Sequence, residues 1–185
     1  NGGYDPIKYE KLITNLRETN GDKILNEIDK HYARLITPVD DDWPEQLNDL
    51  AAPPIGLILK GNIDALHQSS LAIVGTRNPT SYGARIAGEF AAGFADREWA
   101  IVSGGAYGID SYAHKGALIA EGVTVAVVAS GIDINYPAGN TRLFAEICES
   151  GAMVTEFMPG HRALPNRFLT RNRLIAALSK ATLNL

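Results

Sequence analysis

Several absences narrow the function of this chain before any motif is considered. No run of about 18 apolar residues occurs, so no segment reads as a transmembrane helix. No basic-then-apolar stretch precedes the first predicted helix. The one cysteine, Cys148, cannot form an internal disulfide, which agrees with a reducing compartment. It falls at an apolar position of a predicted helix and reads as a buried structural thiol. No His-rich or Cys-rich cluster has metal-ligand spacing, and neither G-x-G-x-x-G nor G-x-x-x-x-G-K-[ST] occurs. These absences disfavour a nicotinamide dehydrogenase and a P-loop hydrolase. They lead us to expect a cytoplasmic protein, off the membrane, with no metal and no cofactor.

Net basic charge is also lacking: the formal net charge is −4, which taken alone argues against nucleic acid. The average hides a gradient. Residues 1–70 hold seven Lys/Arg against twelve Asp/Glu, whereas residues 71–185 hold ten against nine. From residue 157 onward Arg162, Arg167, Arg171, Arg173 and Lys180 occur with no acid at all. A phosphate backbone responds to such a local stripe, because screening confines surface fields to about 8–10 Å.

The 185 residues, 45% hydrophobic and 21% charged, suffice for one sizeable core and a small appendage. Residues 1–35 are expected to form a helical segment. Ile7, Leu12, Ile13 and Leu16 make one apolar face; Ile24, Leu25, Ile28 and Tyr32 make a second. A connector rich in Pro and Asp follows, and its apolar run Ile55 to Leu59 offers a strand. From residue 71 four apolar runs (71–74, 99–102, 123–129 and 152–155) alternate with helical stretches, each ending in a glycine-bearing or polar turn. This pattern predicts an α/β fold over 36–185: a Rossmann-like parallel sheet with helices on both faces. Right-handed crossovers put the strand-to-helix loops 75–82, 103–110, 130–140 and 156–171 along one edge, where ligands of such sheets bind.

Three of these loops are rich in glycine: Gly75-Thr76-Arg77, then Ser103-Gly104-Gly105-Ala106-Tyr107-Gly108, and Gly131 leading through Tyr136-Pro137 to Asn140 and Arg142. Any one of them could use glycine only for a tight turn. Together they suggest a floor of backbone N–H groups that would receive phosphate. In the fourth, Arg162, Arg167, Arg171 and Arg173 surround Phe168, a composition that suits a polyanion whose bases stack. The alternative is a solvated basic face on a terminal helix. Asp110 and His114, four residues apart, can touch, more often as a structural pair than a catalytic one. Glu156, at a strand end, has no evident partner.

At this point a family resemblance becomes specific. AIVGTRNPTSYG (72–83), VSGGAYGIDSYAHKGAL (102–118), VAVVASGIDINYPAGNTRL (125–143), FMPGHRALPNRFLTRNRLIAALSKA (157–181) and the lead-in ITPVDDDWPEQLNDLAAPPIGLILKGN (36–62) resemble, in order, the motifs of the DNA-processing protein A (DprA, or Smf) family. The resemblance implies an extended Rossmann domain and a homodimer that is not an enzyme. It implies a protein that binds and protects incoming single-stranded DNA during natural transformation and loads the RecA recombinase on it. It also implies phosphate contacts at Arg77, Arg162, Arg167 and Arg171, with Arg173 a further candidate. Two departures stand out. The Tyr-Pro loop reads Ala138-Gly139 where the family often has lysine, and the family continues past the position of Leu185, so a truncated domain is expected. The competing reading is a Rossmann-like nucleoside-monophosphate phosphoribohydrolase, which would need a P-G-G-x-G-T-x-x-E loop that SGGAYGID does not match; a nucleotide-sensing module is a third.

Overall fold

The computed structural model describes Glu10, Thr14 and residues 18–185. The first predicted helical face (Ile7, Leu12, Ile13, Leu16) lies outside the described residues. The second forms as α1 (Gly21–Asp29), started by Asn20, whose side-chain oxygen accepts the Lys23 N–H at 3.1 Å. Its buried stripe is narrower than the sequence suggests. Ile28 enters the core and Ile24 packs beside it, but Leu25 is half exposed and Tyr32 stands in solvent beyond the helix end.

The four predicted strands are β3 (Ser70–Val74), β4 (Ala100–Ser103), β5 (Thr124–Val127) and β6 (Ala152–Thr155). They belong to one seven-stranded sheet with β1 (Arg34–Ile36), β2 (Leu57–Gly61) and β7 (Ala181–Asn184), in the order β1-β2-β6-β5-β4-β3-β7. The five strands from β7 to β6 are parallel, and β2 and β1 extend the sheet antiparallel beyond β6. The apolar run of the connector thus supplies β2, while Ile55 ahead of it is exposed.

Alternation along the strands sorts the core into two layers. Leu71, Ile73 and Ile101 face α2 (Ser81–Ala95) and α3 (Ile109–Ile119). On the same side Ala126, Met153 and Ile58 meet α1 and Phe144 and Ile147 of α4 (Thr141–Ser150). Ala72, Val102, Val125, Val127 and Val154 point the other way, towards Leu174, Ile175 and Leu178 of α5 (Pro165–Ala177) and its end. The contact of α2 with α3 depends on small residues: a Cβ on Gly116 would lie 2.4 Å from the Gly88 carbonyl oxygen. α5 packs opposite the other helices, so the loops leaving β5 and β6 part to opposite faces of the sheet. The cleft at the carboxyl edge lies between α5 with β7 and the loops leaving β3 and β4.

Candidate nucleic-acid interface

The glycine loops are bound first to one another. Ser103 is fully buried, and its hydroxyl donates to the Ile73 carbonyl at 2.6 Å, tying β4 to β3. The Asp110 carboxylate, at the start of α3, accepts the N–H groups of Gly104 (3.1 Å) and Ala106 (3.3 Å). Asn140 donates from its carboxamide to the Gly105 carbonyl at 2.9 Å and to the Ser111 hydroxyl at 2.8 Å. Gly131 donates its N–H to the His161 carbonyl at 2.7 Å, and Thr76 its N–H to the Leu185 carbonyl at 3.1 Å. Glycine is required here for close approach. At Gly105 (φ +70) a Cβ would meet the Phe144 ring at 2.5 Å, and at Gly108 (φ +81) it would meet the Thr76 carbonyl oxygen at 2.3 Å. Gly75 likewise lies against the Leu185 carbonyl. Four of the N–H groups expected to form an open phosphate floor are therefore already donated within the protein.

The arginines divide in the same way. Arg171 is 5% exposed, and one guanidinium nitrogen donates to the carbonyls of Gly104, at 2.7 Å, and Val127. Burial pulls its pKa down to about 10, partly offset by the attraction of Asp110, so it keeps its charge at neutral pH. Burial pushes the Asp110 carboxyl up from its ordinary value, against the pull of Arg171 and of the two loop N–H groups. Arg173 forms a two-pronged ion pair with Glu156, both bonds 2.6 Å, and its Nε donates to the Ala52 carbonyl at 3.1 Å. Glu156 thus has the partner that sequence could not identify. Asp110 and His114 serve different neighbours: the fully buried His114 ring meets the Thr124 hydroxyl through Nδ1 at 2.7 Å. That hydroxyl donates to the Ile101 carbonyl, so Nδ1 carries the proton and Nε2 is a bare acceptor. Desolvation drops the His114 pKa to about 3, with a smaller push from Arg171. Cys148 is half-buried, and burial raises its thiol pKa.

Arg77, Arg162 and Arg167 remain at the surface or its rim. The Arg77 guanidinium lies 5.2 Å from the centre of the Phe168 ring, and Phe168 leans on Tyr136 with ring centres 5.6 Å apart at 51°. Arg77 and Phe168 line a cleft of about 520 Å³ at the carboxyl edge, together with Asp110, Arg171, Asn172 and, from β7, Thr182 and Asn184. Arg167 lies 4.5 Å over the Phe157 ring and donates to the Arg162 carbonyl at 2.8 Å. Arg142 pairs with Glu146 at 2.8 Å and lines a different groove, with Lys115 and Ile119 between α3 and α4. The contributions of Tyr136, Thr182 and Asn184 were not among the residues expected from sequence. The Tyr-Pro loop was a usable signal for Tyr136; the short run ATLNL gave none for β7. Among the described residues no group of three His, Cys, Asp or Glu is placed to hold a metal ion, and no helix is long and apolar enough to cross a membrane.

Comparison with known proteins converges on one family. The family model of DNA recombination-mediator protein A matches residues 34–184. A DNA processing protein DprA of Mycobacterium tuberculosis is 46% identical over 161 residues, which is 80% of this chain and 41% of that protein. The X-ray structure of DprA from Streptococcus pneumoniae superposes with a TM-score of 0.88 at 32% identity, covering 99% of this chain and 62% of that one. The structure of DprA from Helicobacter pylori, solved to explain a single-stranded DNA binding mode, gives a TM-score of 0.74 at 28% identity over 82% of this chain and 68% of that one. The chain spans about half or less of the length of the curated relatives it matches.

Proposed function

The chain belongs to the DNA recombination-mediator protein A family, and from that premise we propose that it binds single-stranded DNA across the cleft at the carboxyl edge of its sheet. One observation carries the reading: a surface guanidinium, Arg77, is laid over Phe168, which itself leans on Tyr136, at the mouth of that cleft. A cation beside a row of aromatic faces suits a strand that offers phosphates and unstacked bases in alternation. Duplex DNA keeps its bases stacked inward and would meet only the cation. Arg77 supplies the charge-assisted phosphate contact, Phe168 and Tyr136 the stacking surface, and Arg162, in the loop before α5, and Arg167, in its first turn, a positive approach. Arg171 and the glycine loops hold the edge in shape.

On this reading the protein protects incoming single strands and passes them to the RecA recombinase in the cytoplasm, working as a homodimer and without catalysis. The two carboxylates nearest to a hydrolase's needs are both engaged: Asp110 with the Gly104 and Ala106 N–H groups, Glu156 with Arg173. Titration with a single strand, a duplex of equal length and nucleoside monophosphates tests the reading. The single strand should bind most tightly, and its affinity should fall with salt by roughly 0.7 log units per phosphate contact for each tenfold rise. Equal affinity for the duplex, or release of free base from a monophosphate, would reject it.

A further inference from the structure

Next to the cleft at Arg77 lies a second recess, of about 320 Å³, which shares Arg77 and Ala106 with it. Two half-exposed tyrosines from different loops form its walls: Tyr107, 51% exposed, and Tyr136, 48% exposed. Tyr136 is the end of the aromatic row that starts at Phe168. Tyr107 comes from a different loop, the one after β4, carried on the turn that Gly105 and Gly108 make with positive φ. Its hydroxyl lies over Gly139, where an added Cβ would come within 2.5 Å of it. The Ala138-Gly139 pair, small and uncharged, therefore leaves room for an aromatic ring beside the Tyr-Pro turn. The carboxamide of Asn135 borders the recess and makes no hydrogen bond within the protein among the described residues.

The geometry points to a nucleobase slot between Tyr107 and Tyr136, an inference that rests on the single-strand reading above. A strand whose phosphate sits at Arg77 can lay one base on Phe168 and direct the adjacent base into this recess. A small anion would have no use for two aromatic walls, and a purely apolar ligand none for the bordering guanidinium. A base uses all three features: faces for its rings, the cation for its phosphate, and the Asn135 amide for its polar edge. Tyr107 is the diagnostic residue, because Tyr136 also supports Phe168.

The test compares an oligothymidylate with an abasic strand of equal length, which keeps the phosphates and lacks the bases. Tyr107→Ala should weaken binding of the oligothymidylate about five- to a hundredfold. It should leave the abasic strand bound as by the unaltered protein, and Tyr107→Phe should restore the difference. Loss of both strands to the same degree, or of neither, would overturn the slot. Failure of the broader reading looks different: the unaltered protein would then show no preference for single strand over duplex.

Discussion

Two guanidiniums at one edge of the sheet behave as different chemical objects. Arg171 is in the core, one terminal nitrogen turned to the carbonyls of Gly104 and Val127 and its charge attracted by Asp110. Arg77 is exposed, its planar group resting on Phe168 and facing the cleft. They are close enough for the charge of Arg77 to help lower the Arg171 pKa. The same residue type thus serves as a strut in one place and, on the proposed reading, as a ligand contact in the other. What separates them is the number of protein carbonyls within reach. A buried guanidinium gripped through one nitrogen by two carbonyls is fixed in the core even though its Nε finds no partner, whereas one supported only by an aromatic face keeps its donors open to solvent and to a partner.

The largest effect expected from this contrast is on stability. Arg171→Ala strips the carbonyls of Gly104 and Val127 of a donor and leaves Asp110 buried without its counter-charge, which should cost about 3–5 kcal/mol in chemical denaturation. Arg77→Ala should change that midpoint little, since an exposed cation contributes at most about 1 kcal/mol. Equal midpoints for the two variants would erase the distinction.

Acid sharpens the same contrast from its buried side. His114 is neutral when folded, with a pKa of about 3 against an ordinary value of 6.5. Between these values the unfolded chain takes up a proton that the folded one refuses. This contribution to stability is therefore complete above pH 6.5 and shrinks as pH falls towards 3, by about 1.4 kcal/mol per pH unit, or roughly 2–3 kcal/mol at pH 4.5. Asp110 works in the opposite sense: its carboxyl is raised, so its share is fully present below 3.8 and is lost as pH rises through the folded value. Replacing the ring by a non-titrating amide, His114→Asn, should flatten the fall between pH 6.5 and 4.5. An unchanged slope would mean that other groups set the acid response.

The layout of the sheet could be inferred from sequence largely because parallel strands buried on both faces leave continuous apolar runs, as at Leu71–Val74 and Ala152–Thr155. β7 escaped because four residues of mixed polarity carry no period, and β1 because it has three. The site was legible in part. Sequence placed Arg77, the glycine loops and Phe168 at the carboxyl edge, which is where the structure has them. It could not show which donors were already engaged, since that depends on contacts such as Asp110 to Gly104 and Arg173 to Glu156. Those contacts join residues whose approach is set by loop packing rather than by helical or strand spacing.

Binding should reverse the order seen for stability. Arg77→Ala removes a charge-assisted contact worth about 1.5–3 kcal/mol, so single-strand affinity should fall roughly ten- to a hundredfold. Arg97 is the control. It lies past the end of α2, at the opposite edge of the sheet, and donates to the Gly93 carbonyl. A loss for Arg97→Ala as large as for Arg77→Ala would put the groove on the wrong edge.

Arg142 provides the finest test, because it too is an exposed arginine that the sequence placed beside a glycine loop of the carboxyl edge, where the family often has a lysine. Its side chain is 92% exposed, so unlike Arg171 it has not been withdrawn into the core. It belongs to the first turn of α4, pairs with Glu146 one turn on, and opens onto the groove between α3 and α4. Neither the Arg77 cleft nor the recess beside it includes Arg142 in its lining. Exposure without an aromatic platform, and with a carboxylate already in contact, should leave only a diffuse electrostatic pull on a strand bound at Arg77. Salt screens such a pull over about a Debye length. Arg142→Ala should then lower single-strand affinity less than about threefold at low salt, a few tenths of a kcal/mol, and the difference should vanish near physiological ionic strength. A loss approaching that of Arg77→Ala and persisting at physiological salt would mean that the strand turns past Asn140 into the second groove. The bound length would then have to be redrawn to cover both faces of α4.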